Sequence, residues 1–209
     1  MQRLPAASDE ARILSALTEV AALWREPFCP SAAGAIFSRH LSQVLVISDI
    51  WVEIDGAARF FPHAFEHLLT SVRVAVTERE LARGVAPRVV RREDPGRIAV
   101  LDLLAGEARF RNVDADGAYF FAAINGDPIP QRLVTRVDVP DGSRRLVLAS
   151  DGYPRLGKDL EESEALLARI VAEDPLMITL APGTKGVSEG LSTYDDRTYL
   201  AFALESPAA

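Results

Sequence analysis

The stretch Leu146-Val147-Leu148-Ala149-Ser150-Asp151-Gly152-Tyr153 decides how the rest of this 209-residue sequence is interpreted. An apolar run typical of a buried strand leads directly into Asp151-Gly152, a pair that favours a sharp turn. The junction predicts a carboxylate at the end of a sheet, where glycine lets a ligand approach the backbone closely. Asp-Gly is also a common turn pair, so this junction alone does not assign a function.

Short β-prone runs separated by turn residues lie on both sides of this junction. They predict strands at 33–37, 44–47, 50–54, 98–104, 119–124, 133–139, 146–149 and 198–204, of which the first three should form an antiparallel meander. Apolar residues at helical spacing predict helices from Ser8 to before Pro27, over 62–81 and over about 160–172. Residues 86–95 are expected to form a solvated connector. Helices between blocks of hairpin-linked strands favour an α+β fold, in one domain covering residues 1–209.

The predicted core draws on the helices as well as on the strands. The second helix should bury one apolar face, made of Phe61, Phe65, Leu68, Leu69, Val72 and Val76. We also expect both tryptophans, Trp24 and Trp51, to be buried.

Composition and charge exclude several classes of protein. The net charge of −7 argues against broad electrostatic binding to nucleic acid or to an anionic membrane. The single cysteine, Cys29, excludes an intrachain disulfide and a cysteine zinc cluster, and it indicates a reducing compartment. No apolar run approaches the roughly 20 residues that span a bilayer. Residues 1–9 lack a basic segment followed by an apolar core, so we expect no signal peptide. We therefore expect a cytoplasmic protein.

Two further acidic sites resemble the one at Asp151 in their position next to a strand. Asp195-Asp196 precedes the predicted strand 198–204, and Ser48-Asp49 lies between the predicted strands 44–47 and 50–54. Carboxylate oxygens are the ligands that Mg²⁺ and Mn²⁺ prefer. If the fold brings Asp49, Asp151 and Asp195 together, they could hold one of these ions.

The order of these motifs resembles that of the metal-dependent serine/threonine phosphatases of type 2C, in particular divergent bacterial members of that superfamily. The resemblance covers about residues 30–204 and rests on Ser48-Asp49, Leu-Ala-Ser-Asp-Gly at 148–152 and Asp-Asp-Arg-Thr at 195–198. It implies two packed antiparallel β-sheets flanked by helices. It also implies Asp151 and Asp195 as ligands of Mg²⁺ or Mn²⁺, Asp49 as the acid serving an additional metal, and a phosphorylated protein or small phosphoester as substrate.

The sequence also departs from this family. The family's first strands, with the Asp-Gly pair that bridges its two metals, have no counterpart here. We expect an N-terminally shortened domain, missing strands that come from elsewhere, or a degenerate metal site. The domain is then either a phosphatase or a non-catalytic interaction module on the same scaffold. Lys185 and Arg197 are candidates for binding phosphate because of their charge. Sheet edges left by missing strands could pair with a second copy, so a homodimer is an expectation.

A different motif favours another chemistry. His63-Ala64-Phe65-Glu66-His67 fits the H-x-x-E-H pattern of inverted zinc metalloproteases. On a helix, His63 and His67 would share a face and could hold zinc while Glu66 activates water. Two boundary histidines bonded to neighbouring side chains would explain the same pattern, because motifs this short often occur by chance.

Overall fold

The described part of the chain, residues 6–24 and 30–204 of a computed structural model, contains five α-helices and seven strands. The helices are α1 (Ala6–Ala22), α2 (Ala64–Ala82), α3 (Pro87–Glu93), α4 (Pro95–Gly106) and α5 (Leu160–Glu173). The strands are β1 (Gly34–Ser38), β2 (Gln43–Ile47), β3 (Ile50–Ile54), β4 (Ala57–Phe61), β5 (Thr135–Asp138), β6 (Arg145–Ser150) and β7 (Tyr199–Ala203). Cys29 and Pro27 lie outside the described residues.

The strands form two antiparallel sheets flanked by helices, so the α+β prediction is confirmed. One sheet has the strand order β1-β2-β5 and the other β4-β3-β6-β7. The first sheet is in register with Gly34 opposite Ile47 and with Val46 opposite Thr135. In the second, Ile50 lies opposite Phe61. No helix among the described residues is long and apolar enough to cross a membrane.

The predicted meander of the first three strands is wrong, because β2 and β3 belong to different sheets. The neighbours of β3 in its sheet are β6 and β4, and β4 is a strand that the sequence pattern did not predict. Ser48-Asp49 is therefore the passage from one sheet to the other and not the turn of a hairpin. Ser48 makes this passage in the left-handed region, with φ of 66°, which is the backbone conformation that glycine adopts most readily.

Contacts between residues divide the chain into two compact units. The first unit consists of Met1–His63, Arg109–Leu148 and Ala201–Ala209, and the second of Ala64–Ala108 and Ala149–Leu200. Each unit takes segments from separate parts of the chain, so no single cut in the sequence separates them. The prediction of one domain over residues 1–209 stays a prediction.

Strand β2 contributes to two cores of the first unit because its successive side chains point to opposite faces. Val44 and Val46 pack with apolar residues of β3 and β6, whereas Leu45 and Ile47 pack with Leu14 of α1. A strand buried on both faces reads as a continuous apolar run, as 44–47 does. Trp24, just beyond α1, is 71% exposed, so its predicted burial is wrong.

In the second unit, the buried face of α2 matches the predicted one only in part, since Phe65 and Leu69 are buried as expected. Its fully buried side chains are Phe65, Leu69, Arg73 and Thr77, whereas Leu68 and Val72 are exposed. Helix α4 comes very close to this face: a Cβ at Gly96 would lie 2.4 Å from the carbonyl oxygen of Arg73. Only glycine fits at such a separation, so Gly96 determines how closely α2 and α4 pack.

Several local predictions between 86 and 139 are wrong or only partly right. Residues 98–104 lie in α4 and not in a strand, and 86–95 include α3 and not a solvated connector. Both helices begin with proline at a first helical position, where its missing N–H costs nothing. Residues 119–124 contribute isolated bridges at Phe121 and Ile124 and no strand.

Candidate functional site

The chain after β6 turns sharply at Asp151-Gly152, as the sequence predicts. The backbone N–H of Ser150 donates to the carbonyl of Thr198 at 3.0 Å, and the Ser150 hydroxyl accepts from the Thr198 N–H at 3.0 Å. A Cβ at Gly152 would lie 2.1 Å from the carbonyl oxygen of Asp196. The backbone that approaches this glycine is thus the chain's own segment around Asp195-Asp196, so the two acidic motifs of the second unit come together.

Tyr194 links the same two motifs through its side chain. Its hydroxyl donates a short hydrogen bond to the backbone carbonyl of Asp151. Burial raises the pKa of the Tyr194 phenol well above its usual range, and the negative charges of Asp151, Asp195 and Glu66 raise that pKa further. The phenol thus responds to the charges of three carboxylates of the second unit. The sequence analysis singled out Asp151 and Asp195, but it missed Tyr194 and gave Glu66 a different role.

Lys185 is the cation at this acidic cluster. Its Nζ lies 2.9 Å from Oδ1 of Asp195, and the backbone N–H of Asp196 donates to the same oxygen at 3.0 Å. Both interactions fall on Oδ1, and no group among residues 6–24 and 30–204 donates to Oδ2. The Asp195 carboxylate is 27% exposed, so a second ligand can reach it from solvent.

A buried arginine fastens the loop that carries Lys185. Arg73 is 1% exposed and forms a two-pronged ion pair with Asp94, with Nε and Nη2 at 3.2 and 3.0 Å from the carboxylate oxygens. Its remaining donors reach three loop carbonyls, those of Leu176, Met177 and Gly183. A buried charge is tolerated where it is paired and its other polar atoms are bonded, as here. The apolar pattern of α2 did not predict the buried Arg73–Asp94 pair, because the face that it indicated does not include Arg73.

Further bonds hold the loop on each side of Lys185. Arg97 donates to the carbonyl of Thr184 at 3.0 Å, and the N–H of Gly186 donates to Asp94 at 3.2 Å. Arg91 donates to the carbonyl of Val187 at 2.8 Å. Residues of α3, α4 and the turn between them thus fix the backbone directly before and after Lys185.

Arg197, the second predicted phosphate ligand, is engaged with Glu164 of α5. Its Nε and Nη2 lie 2.8 and 2.7 Å from the two carboxylate oxygens. Tyr153 also donates to this carboxylate. The Arg197 hydrogen bond, together with that of Tyr153, holds the pKa of Glu164 below its usual range. Arg197 could bind a phosphate only by exchanging this partner.

Asp49, the third predicted metal ligand, lies in the first unit and is buried. Its Oδ1 accepts the backbone N–H of His63 at 2.8 Å, while its Oδ2 accepts the Ser48 hydroxyl at 3.0 Å and lies 3.1 Å from His63 Nε2. The imidazole of His63 stacks on Phe121, with ring centroids 3.9 Å apart. Both oxygens of Asp49 are therefore already bonded to the chain itself.

The histidines of the zinc pattern do not share a helix face. Helix α2 begins at Ala64, so His63 precedes it and bonds to Asp49, while His67 is exposed within α2. The backbone N–H of His63 donates to the Asp49 carboxylate, directly before the first residue of the helix. The zinc site of His63, Glu66 and His67 stays a prediction without the helical geometry on which it was based.

Asp151 and Asp195 carry oxygen donors of the kind that hard cations prefer. In the described ranges, neither Asp151 nor Asp195 belongs to a group of three potential ligand atoms within 4.8 Å of one another. Mg²⁺ is commonly bound through one or two carboxylates and several waters, which this arrangement of acids allows.

Searches with this chain matched no protein-family model, no curated protein and no solved structure.

Proposed function

We propose that this protein is a phosphoester hydrolase of the type 2C phosphatase kind that depends on Mg²⁺ or Mn²⁺. Asp151 and Asp195 would hold the ion, and a phosphorylated protein or small phosphoester would be the substrate. The observation that carries the proposal is the junction of the two acidic motifs, which Gly152 and Tyr194 bring together. The architecture of two antiparallel sheets flanked by helices is compatible with the same family resemblance.

The chain's own groups divide the work of such a site. A bound divalent ion would lower the pKa of a coordinated water and neutralise charge on the phosphate. Asp151 and Asp195 supply the negative charge that attracts the ion, and the Tyr194 hydroxyl fixes the Asp151 backbone. Lys185 is the cation positioned to attract a phosphate oxygen, since it already lies beside Asp195. Asp49 stays a predicted ligand of an additional metal, which would have to replace His63 or Ser48 on its carboxylate.

Mn²⁺ binding followed by calorimetry, together with hydrolysis of p-nitrophenyl phosphate, tests this function. We expect wild type to bind Mn²⁺ and to hydrolyse the ester only when Mn²⁺ is present. Asp151→Asn and Asp195→Asn should each weaken Mn²⁺ binding about tenfold or more, because each removes one negative charge next to a divalent ion. Glu78→Gln on the exposed surface of α2 removes the same charge elsewhere in the second unit and should change neither property.

The outcomes separate the alternatives. Folded wild type that binds no Mn²⁺ would contradict the proposal. Mn²⁺ binding that Asp151→Asn and Asp195→Asn weaken, without any hydrolysis by wild type, would indicate the non-catalytic module on this scaffold. Stoichiometric zinc that is lost in His63→Ala would favour the zinc hydrolase instead.

A further inference from the structure

We propose that Lys185 is a built-in competitor of the divalent ion, occupying Asp195 while the ion is absent and binding a phosphate oxygen once the ion displaces it. This inference rests on the proposed function. It assigns one lysine to two successive partners, a carboxylate and then a phosphate. It therefore predicts that metal and phosphate binding are coupled through a single side chain.

The backbone that carries Lys185 is held by many hydrogen bonds. Three arginines of α2, α3 and α4 donate to carbonyls of this loop, at Leu176, Met177, Gly183, Thr184, Val187 and Ser188. The Asp94 carboxylate accepts from the Gly186 N–H. A loop held in this way loses little further conformational entropy when its lysine binds a ligand. The place of Lys185 beside Asp195 is thus fixed by the fold and does not depend on a mobile loop.

The Asp195 carboxylate is bonded to the chain through only one of its two oxygens. Lys185 and the Asp196 N–H both use Oδ1, and Oδ2 has no donor in the described part of the chain. The Lys185 side chain is itself 38% exposed, and an ion pair that is open to water is weak. A divalent ion, with twice the charge, can therefore replace the ammonium on this carboxylate.

The charges of the ion, the lysine and the phosphate couple the two binding events. With the ion bound at Asp195, the ammonium of Lys185 would lie close to a doubly charged cation and be repelled by it. A phosphate that ligates the same ion removes this repulsion, because its negative oxygens can bond to both cations. Each ligand should then favour the other's binding, since coupling between two sites is reciprocal.

Calorimetric titration of Mn²⁺ into wild type, Lys185→Met and Lys158→Met tests the competition. Lys158, the other lysine of the sequence, is exposed in the same unit, so Lys158→Met removes the same charge as Lys185→Met at a different position. We expect Lys185→Met to bind Mn²⁺ roughly three- to tenfold more tightly than wild type, with the difference smaller in 0.3 M than in 0.05 M NaCl. Lys158→Met should stay within about twofold of wild type. Lys185→Arg retains the charge and should restore an affinity near that of wild type.

A second titration, of inorganic phosphate into the Mn²⁺-loaded proteins, tests the change of partner. Wild type should bind phosphate several-fold more tightly than Lys185→Met does, although Lys185→Met holds the metal more tightly. Urea unfolding of each variant, and Lys185→Gln as a second neutral replacement, show that the comparison is between folded proteins. A general disturbance of the site would weaken the binding of both ligands. Tighter Mn²⁺ binding together with weaker phosphate binding in Lys185→Met would therefore not result from it.

Failure of the inference can be distinguished from failure of the proposed function. Equal or weaker Mn²⁺ binding by Lys185→Met, with wild type binding Mn²⁺, overturns the competition and leaves the proposed function standing. Phosphate affinity that is unchanged in Lys185→Met overturns the second role of the lysine. Absence of Mn²⁺ binding in wild type contradicts the proposed function, and its absence in Lys185→Met as well overturns the competition.

Discussion

Asp49 in the first unit and Asp195 in the second are both acidic residues next to a strand, yet their surroundings differ. The Asp49 carboxylate is buried and has three donors or partners, supplied by Ser48 and His63. The Asp195 carboxylate is partly exposed, and its two interactions converge on one oxygen. The first carboxylate is saturated by the chain itself, whereas the second retains an oxygen that can accept an external ligand.

The difference distinguishes acidic residues that stabilise the fold from acidic residues that can bind an external ligand. A buried carboxylate is stable only when hydrogen bonds compensate for its lost hydration, so saturation indicates a role in holding the fold. A partly exposed carboxylate keeps part of its hydration and needs fewer hydrogen bonds from the protein. With one oxygen unbonded and a lysine beside it, such a carboxylate can exchange the lysine for an external ligand. The distinction can be tested because substitution at the two positions should affect different properties.

The largest expected effect on stability comes from Arg73, which pairs with Asp94 and holds the loop that carries Lys185. Arg73→Met should lower the free energy of unfolding by about 3–5 kcal/mol, because it leaves Asp94 and three loop carbonyls without their buried partner. Arg169→Met on α5 removes an exposed arginine that pairs with Glu173 four residues on, and it should cost less than about 0.5 kcal/mol. Urea denaturation measures both. A cost below about 1 kcal/mol for Arg73→Met would mean that the loop is not held from α2.

Substitution of the two aspartates tests the comparison itself. Asp49→Asn should cost about 2–3 kcal/mol in urea unfolding, because one charged acceptor becomes an amide that cannot receive the same donors. Asp195→Asn should cost less than about 1 kcal/mol, because its pair with Lys185 is open to solvent. Mn²⁺ binding should show the reverse order, with the larger loss in Asp195→Asn. A lower Mn²⁺ stoichiometry in folded Asp49→Asn would instead support an additional metal at Asp49.

Substitution of Gly152 can disturb the close approach of the two acidic motifs without removing any charge. A Cβ there would overlap the Asp196 carbonyl, so Gly152→Ala should push the two acidic motifs apart. We expect a loss of about 1–3 kcal/mol in stability, typical of overpacking, and weaker Mn²⁺ binding although every carboxylate remains. Gly106→Ala is the matched control, because nothing lies within 4 Å of the position of its Cβ. Unchanged Mn²⁺ affinity in folded Gly152→Ala would show that the ion does not depend on the junction of the two motifs.

The strands and the longer helices were predictable because their signals are local. Alternating or continuous apolar runs bounded by turn residues gave β1, β2, β3, β6 and β7 nearly to the residue. Residues 98–104 were misassigned because an uninterrupted apolar run is compatible with a strand or with a buried helix. Asp94-Pro95, a side-chain cap followed by proline at the first helical position, was the local signal that favoured α4.

What could not be predicted depends on partners distant in the sequence. Arg73 is buried because Asp94 and loop carbonyls more than a hundred residues later complete its bonds, and no helical periodicity contains that information. Likewise, Ser48-Asp49 looked like a hairpin because two strands flank it, while their pairing in separate sheets depends on β4 and β5. In the candidate site, Asp151 and Asp195 were singled out by their positions beside strands. Tyr194 was not, because its role requires the fold to bring it to Asp151.

The smallest effect concerns Glu164, whose carboxylate is saturated like that of Asp49 but lies at the surface. Because Arg197 and Tyr153 hold its pKa below the usual range, its contribution to stability is present above the ordinary glutamate pKa of about 4.3 and is lost as the pH falls through the lower folded value. Glu164→Gln should therefore be less stable than wild type at neutral pH, by at most about 1 kcal/mol since the pair is exposed, and equally stable in acid. Urea unfolding at several pH values measures this convergence. A difference that persists in acid would mean that Glu164 acts through packing and not through its charge, and Arg197 would then be less firmly held away from an incoming phosphate.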